Sequence, residues 1–340
     1  MIGLPLYFGR AGALLLGLAA LGVVPGCAGS SSTHDGAGGS ASNAEKFSFF
    51  VTSWAALQRV SGSPDGFGGD LRHGETGAGA GLRGADKICA ELAEGSMPGA
   101  GKKAWRAFLS AADGGAGKPV NAIDRIGAGP WFDRLGRLFG NNVTDINATR
   151  PTSADAAIKN DFPNENGVPN HRPDPTAAEV DNHDMLTGSD ASGKFYDKTA
   201  TCLDWTSANG DTAAEGQPRV GHSWPRNLGS LVDGGFIGSP PDGGPPSALP
   251  DGGPFGDGGP GFPDGGFLPD GGPGFPDGGF VPNGAANSGV GDVDNWMSSL
   301  TESGCKAGSN LIEMGGPLAS AVTVGSGGGY GGFYCFALSP

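Results

Sequence analysis

The chain has 340 residues, of which 67 are glycine, 27 proline and five cysteine, and its formal net charge is −14. An acidic balance with no basic patch argues against nucleic acid or an anionic lipid surface as a partner. Once the apolar N-terminus and the low-complexity stretches are set aside, about one domain's worth of foldable sequence remains.

Residues 1–26 have the layout of a secretory signal peptide. One basic residue, Arg10, precedes an apolar run from Ala11 to Val24, and small residues follow up to Cys27. The run is short for a membrane span. Val24-Pro25-Gly26-Cys27 resembles a bacterial lipobox, with Pro25 in place of the usual small or hydroxyl residue. On that reading Cys27 is the lipidated first mature residue. Ala28 behind it implies the outer membrane or cell surface of a Gram-negative bacterium, held by a multi-chain anchor. The plainer alternative is a secreted protein in which Cys27 is incidental. Residues 27–45 are rich in Gly, Ser and Ala and read as a flexible tether.

The domain begins at residue 46. Phe47–Thr52 (FSFFVT) has strand character, and residues 62–84 read as a long surface loop. In GADKICAELAEGSMPG, Ala85, Ile88, Cys89, Leu92 and Ala93 recur at helical spacing, with Gly95 and Pro98 as stop signals. Trp105–Ser110 alternates like a half-buried strand. Further short strands are predicted over Asn121–Ile126 and Trp131–Phe139. Residues 141–190 are polar and loop-rich, with a helical turn expected near Ala154–Lys159. Cys202 and Trp205 are assigned to a core strand. Past the insertion, Asp292–Thr301 reads as a short helix, and strands are predicted at Asn310–Met314 and around Cys335.

Residues 232–283 differ sharply in composition. Pro-Asp-Gly-Gly recurs at 241, 250, 263, 269 and 276, giving credible tight turns with too little apolar material for a core. This is predicted to be a disordered insertion, which lengthens a loop at small entropic cost. A calcium-binding repeat is the sharper alternative, but the irregular intervals lack its nonapeptide period.

With Cys27 assigned to lipid, Cys89, Cys202, Cys305 and Cys335 remain. An even number in an exported chain implies two disulfides, and three pairings are open. Free thiols or a metal site are the alternatives, and no CxxC spacing supports the latter.

Taken in order, FFVT, GLRGADKICAELA, WRAFLS, GPWFDRLGRL, LTGSDASG, CLDWTS, GHSW and GGGYGGFYCFAL resemble bacterial extracellular domains of the C-type lectin-like superfamily, related in fold to endostatin. The resemblance covers about residues 47–230 and 285–338. It implies an α+β fold of short antiparallel strands, one or two helices and long loops, in which the first and last strands pair. It also implies nested disulfides, Cys89 with Cys335 and Cys202 with Cys305. The glycines from 325 to 332 would then let the last strand approach its neighbours closely.

The Glu-Pro-Asn or Gln-Pro-Asp and Trp-Asn-Asp triplets of the superfamily's calcium-dependent sugar site are absent. Pro163-Asn164-Glu165-Asn166 and Leu203-Asp204-Trp205 are partial echoes. A hard cation such as calcium would draw on Asp174, Glu179, Asp181, Asn182, Asp184 and Asp190, with Asp181, His183 and Asp184 as the named metal candidates. A zinc centre would use His171, His183 and His222 with Asp181 or Asp184. Trp205 and Trp224, with Asn182 and Asp184, are the candidate ligand-binding residues, the indoles offering faces for a sugar ring; core packing is the alternative for Trp131, Trp205 and Trp224. Patterns resembling a dinucleotide fingerprint (Gly79–Gly84), a P-loop (Gly95–Lys102) and a nucleophile elbow (Gly221–Pro225) each lack a required neighbour, so no nucleotide cofactor is expected.

The expected function is a lipid-anchored, non-catalytic binding or adhesion module that needs no cofactor and meets an extracellular glycan or protein with its long loops. The alternatives are an exported zinc-dependent hydrolase using the His/Asp loop and a structural envelope component.

Overall fold

A computed structural model describes residues 45–171, 182–225, 294–310 and 321–339. The signal sequence, Cys27, the tether up to residue 44, the insertion at 232–283 and residues Asp174, Glu179 and Asp181 lie outside them. Among the described residues, no helix is long and apolar enough to cross a membrane.

The aromatic run at the start of the domain forms strand β1 (Phe49–Val51), and Ser53 immediately starts helix α1 (Trp54–Ser61). Ser53 Oγ accepts from the Ala56 amide, and Gly62 closes the helix in the left-handed conformation. The Glu165 carboxylate accepts from the Ser53 amide at 2.9 Å and from Ser53 Oγ at 2.6 Å, so Glu165, in the partial calcium-triplet echo, serves as an anchor for this helix start. Helix α2 (Ala80–Ser96) turns the predicted stripe of Ala85, Ile88, Cys89, Leu92 and Ala93 inward. It starts earlier than periodicity indicates, and in that first stretch Gly81 and Gly84 lie against the Asp204 and Leu71 carbonyls, where a Cβ could not fit. The glycines of the apparent dinucleotide fingerprint are thus accounted for by close packing.

The remaining strands are β2 (Trp105–Ala107), β3 (Trp131–Phe132), β4 (Leu138–Gly140), β5 (Asp184–Leu186), β6 (Arg219–His222), β7 (Leu300–Thr301) and β8 (Gly329–Ala337). The main sheet runs β1-β8-β5-β6-β7, with β2 also on β8, while β3 and β4 form a separate hairpin. Strand β8 organises the sheet. Its first half lies parallel to β5, and its second half lies antiparallel to both β1 (Phe49↔Phe336) and β2 (Ala107↔Cys335). The first and last strands therefore pair, as the resemblance implies.

Every residue of β8 is buried. Alternation sends Tyr334 and Phe336 to one face, where they join Phe49, Phe108, Phe139, Phe162 and Trp296; Phe49 stacks on Phe139 with ring centroids 3.5 Å apart. The other face carries Cys335 to α2, where it bonds Cys89, and a second disulfide joins Cys202 to Cys305, nested within the first. The protein is thus a mixed α/β domain with few helices, sheets of short strands and two disulfides.

Several local expectations are corrected. Residues Ala122–Asp124 form a 3-10 turn where a strand is predicted, and Trp131–Phe139 folds back on itself because Asp133 Oδ1 accepts from the Leu135 and Arg137 amides. Near Ala154–Lys159, by contrast, the expected single turn is present, with the Ile158 and Lys159 amides donating to the Asp155 carbonyl. Of the stretch predicted as a helix, Asp292–Thr301, the described residues 294–299 are irregular and the last two form β7, because Asn295 Oδ1 captures the Met297 and Ser298 amides. Asn310 makes an isolated bridge to Gly329, while 311–314 lie outside the described residues.

The largest correction falls on Cys202–Trp205. All four residues have positive φ, from 50° to 65°, and make a left-handed turn where a strand is predicted. Tertiary bonds outweigh local preference here. Cys202 is held by its disulfide, the Asp204 carboxylate accepts from the Ala112 and Asp113 amides at 2.6 and 3.0 Å, and Trp205 Nε1 donates to the Ser110 carbonyl at 2.8 Å.

Candidate functional site

The antiparallel pairing of β5 with β6 sets Asp184 directly opposite His222. His183 lies just ahead of β5, so strict strand alternation does not turn it away, and its imidazole joins the pair. Asp184 Oδ1 stands 3.0 Å from His222 Nε2 and 3.4 Å from His183 Nε2, and the imidazoles meet edge to face at 4.3 Å between centroids. The side chains of His183 and Asp184 are fully buried and that of His222 is 1% exposed.

Neighbouring groups hold this trio in place. Ser299 Oγ is 3.2 Å from His222 Nδ1, which leaves Nε2 facing Asp184. Arg150 donates to the His222 and Ser223 carbonyls at 2.6 and 2.7 Å. Trp224 stacks on His171 at 3.9 Å, leans on His183 at 4.8 Å, and donates from Nε1 to Asn182 Oδ1 at 2.8 Å. On the far side of Asp184, Glu302 Oε2 accepts from Ser326 Oγ and the Gly327 amide, both at 2.6 Å. A Cβ at Gly327 would sit 2.8 Å from Asp184 Oδ2, so glycine is what allows the backbone to close over both carboxyls.

The electrostatics follow from burial. Desolvation works to raise the Asp184 carboxyl, but the two imidazoles and a hydrogen bond with Glu302 outweigh it and hold the group below its ordinary range, which favours the ionised form. Burial, and then the Asp184 charge, push Glu302 well above the carboxylate range, which favours its protonated form. Burial also lowers His222 against the pull of Asp184. Tyr334 is raised well above its usual range by burial, and its hydroxyl has no hydrogen bond.

The structure therefore brings together His183, His222 and Asp184 from the predicted zinc set, with His171 one ring further out against Trp224. Asp181 lies outside the described residues. Asp190 instead accepts from the Ser192 and Lys194 amides of its own turn. Two imidazoles and a carboxylate suit a transition metal better than calcium, which takes oxygen ligands.

The ligand-binding set is placed differently from the expectation. Trp205 and Trp224 are 0% and 1% exposed, and Asn182 and Asp184 are likewise buried, so neither indole offers a face to a sugar. Large rings in a glycine-rich domain are drawn into its core. Sequence reasoning missed Glu302, Ser326 and Tyr334, which lie more than 70 residues from the histidines along the chain and carry no local motif.

Fold and site together define a disulfide-closed α/β domain whose densest polar chemistry is internal. Comparison with protein-family models, curated proteins and solved structures finds no match.

Proposed function

We propose that the protein is an exported, surface-anchored binding or adhesion module with a C-type lectin-like domain, held by lipid at Cys27 on the outer membrane of a Gram-negative bacterium. It recognises an extracellular glycan or protein and does no chemistry on it. The observation that carries this reading is the burial of the His183–Asp184–His222 cluster at 0–1% side-chain exposure, which leaves the loops as the surface available to a ligand. Among the described aromatic residues, Tyr196 is the one prominently exposed, at 42%, and its ring sits against the Arg219 guanidinium 5.0 Å from the centroid. It takes over the stacking role first expected of Trp205 and Trp224. Leu203, 49% exposed on the left-handed turn, offers an apolar contact.

The convergence of two histidines and an aspartate favours the second reading, an exported zinc-dependent hydrolase, while their burial opposes it. The experiment is a glycan and surface-protein array probed with the unlipidated Cys27→Ser chain, with and without calcium, alongside esterase, peptidase and glycosidase assays on the same preparation. Saturable binding that Tyr196→Ala weakens at unchanged melting temperature supports the module. Zinc-dependent turnover of any substrate class overturns it.

A further inference from the structure

We propose that His183, Asp184 and His222 bind one zinc-class transition-metal ion inside the domain, as a structural centre independent of ligand recognition at the surface. The ligand atoms are His183 Nε2, His222 Nε2 and Asp184 Oδ1. These three residues can place their donor atoms within 4.8 Å of one another, all of them buried. The two separations from Asp184 Oδ1, 3.0 and 3.4 Å, bracket the edge of a tetrahedron built from zinc bonds of 2.0–2.1 Å, about 3.3 Å. Asp184 Oδ1 and His222 Nε2 stand 3.0 Å apart, a separation that suits a hydrogen bond in the absence of an ion and two donors sharing one ion in its presence.

The surroundings are those of a metal centre. Ser299 on His222 Nδ1 orients the ring with its other nitrogen inward. Glu302 lies behind Asp184, fixed by Ser326 and the Gly327 amide, with its side chain hydrogen-bonded to the Asp184 carboxylate. It is a positioning residue for the Asp184 carboxylate. Three protein donors leave one tetrahedral position, the donor count of an open zinc site, and it is the complete burial of the three side chains that closes the position to substrate and makes the centre structural. The donor set selects zinc, cobalt or copper over calcium and magnesium.

A polar cluster of this kind could also be a metal-free hydrogen-bonded network, and the test separates the two. The exported, disulfide-intact chain is purified without chelators from medium containing zinc, and its metal content is measured by mass spectrometry. About one equivalent of transition metal per chain is expected, falling at least tenfold in Asp184→Asn and His222→Gln. Glu302→Gln should retain the metal with affinity weakened 10- to 100-fold. Because those variants could fail to fold, the wild-type chain is also refolded in chelator and given cobalt; intense visible absorption bands of four-coordinate cobalt are expected, and one equivalent of zinc should raise the melting temperature where calcium does not. Less than about a tenth of an equivalent of any transition metal in the purified wild-type chain overturns the proposal. Metal retained undiminished in a folded His222→Gln does so as well. Neither result bears on surface binding, which the array reports separately.

Discussion

Replacing Leu203 tests the left-handed turn most directly, because it predicts an inverted sign. Leu203 has φ 55° and ψ 52°, a conformation that disfavours L-residues by roughly 1–2 kcal/mol. Its neighbours are compensated by the disulfide at Cys202, the two amides on Asp204 and the burial of Trp205. Leu203 itself is half-exposed. Leu203→Ala and Leu203→Gly lose the same side-chain contacts, so their difference isolates the backbone. Glycine relieves the roughly 1–2 kcal/mol of strain but adds roughly 0.5–1 kcal/mol of unfolded-state entropy. The Leu203→Gly protein should therefore be more stable than Leu203→Ala by roughly 0.5–1 kcal/mol. At Ala90, within right-handed α2, Ala90→Gly should instead lose about 1 kcal/mol. The assay is urea denaturation of the oxidised protein, comparing midpoints at unchanged slope. A Leu203→Gly protein less stable than Leu203→Ala would refute the reasoning.

Removing the staple with Cys89→Ala and Cys335→Ala, which are 246 residues apart, should cost about 5 kcal/mol by loop entropy, read as a lower urea midpoint; a loss below about 1 kcal/mol would mean that strand pairing alone closes the ring. Acid should destabilise the fold through Asp145 and Glu215. Burial works to raise both, but the amides and hydroxyls donating to them outweigh it and hold both below their ordinary values. Their contribution is present above the unfolded values, 3.8 and 4.5, and is lost as pH falls through the folded ones, so Asp145→Asn should flatten the decline in stability below about pH 4. Gly84→Ala drives a Cβ into the Leu71 and Arg72 carbonyls and should lose roughly 1–3 kcal/mol of stability in the same denaturation assay. Deleting residues 232–283 should preserve the circular dichroism spectrum and melting temperature, because β6 and β7 pair across the insertion (Arg219↔Thr301); loss of folding would refute these boundaries.

What sequence alone determined here is local. The stripe on α2 was legible because 3.6-residue periodicity is printed in the order of residues, and the strand character of Phe47–Thr52 and of the closing aromatics was equally plain. Helix α1 carries little periodic signal although Ser53 and Gly62 bracket it as caps, since only Ala56 and Leu57 in it are fully buried. The histidines and Asp184 were legible as metal-type residues but not as a set. The disulfide partners came from resemblance alone, because spacing left three pairings open. Tertiary structure decided the rest. Strand pairing set Asp184 opposite His222 and brought Glu302 behind it, the disulfide and core bonds forced Cys202–Trp205 into a hand that its residues do not favour, and the indoles went to the interior. A residue's chemistry and its preference for helix or strand travel with the chain, whereas burial and convergence depend on which distant segments become neighbours.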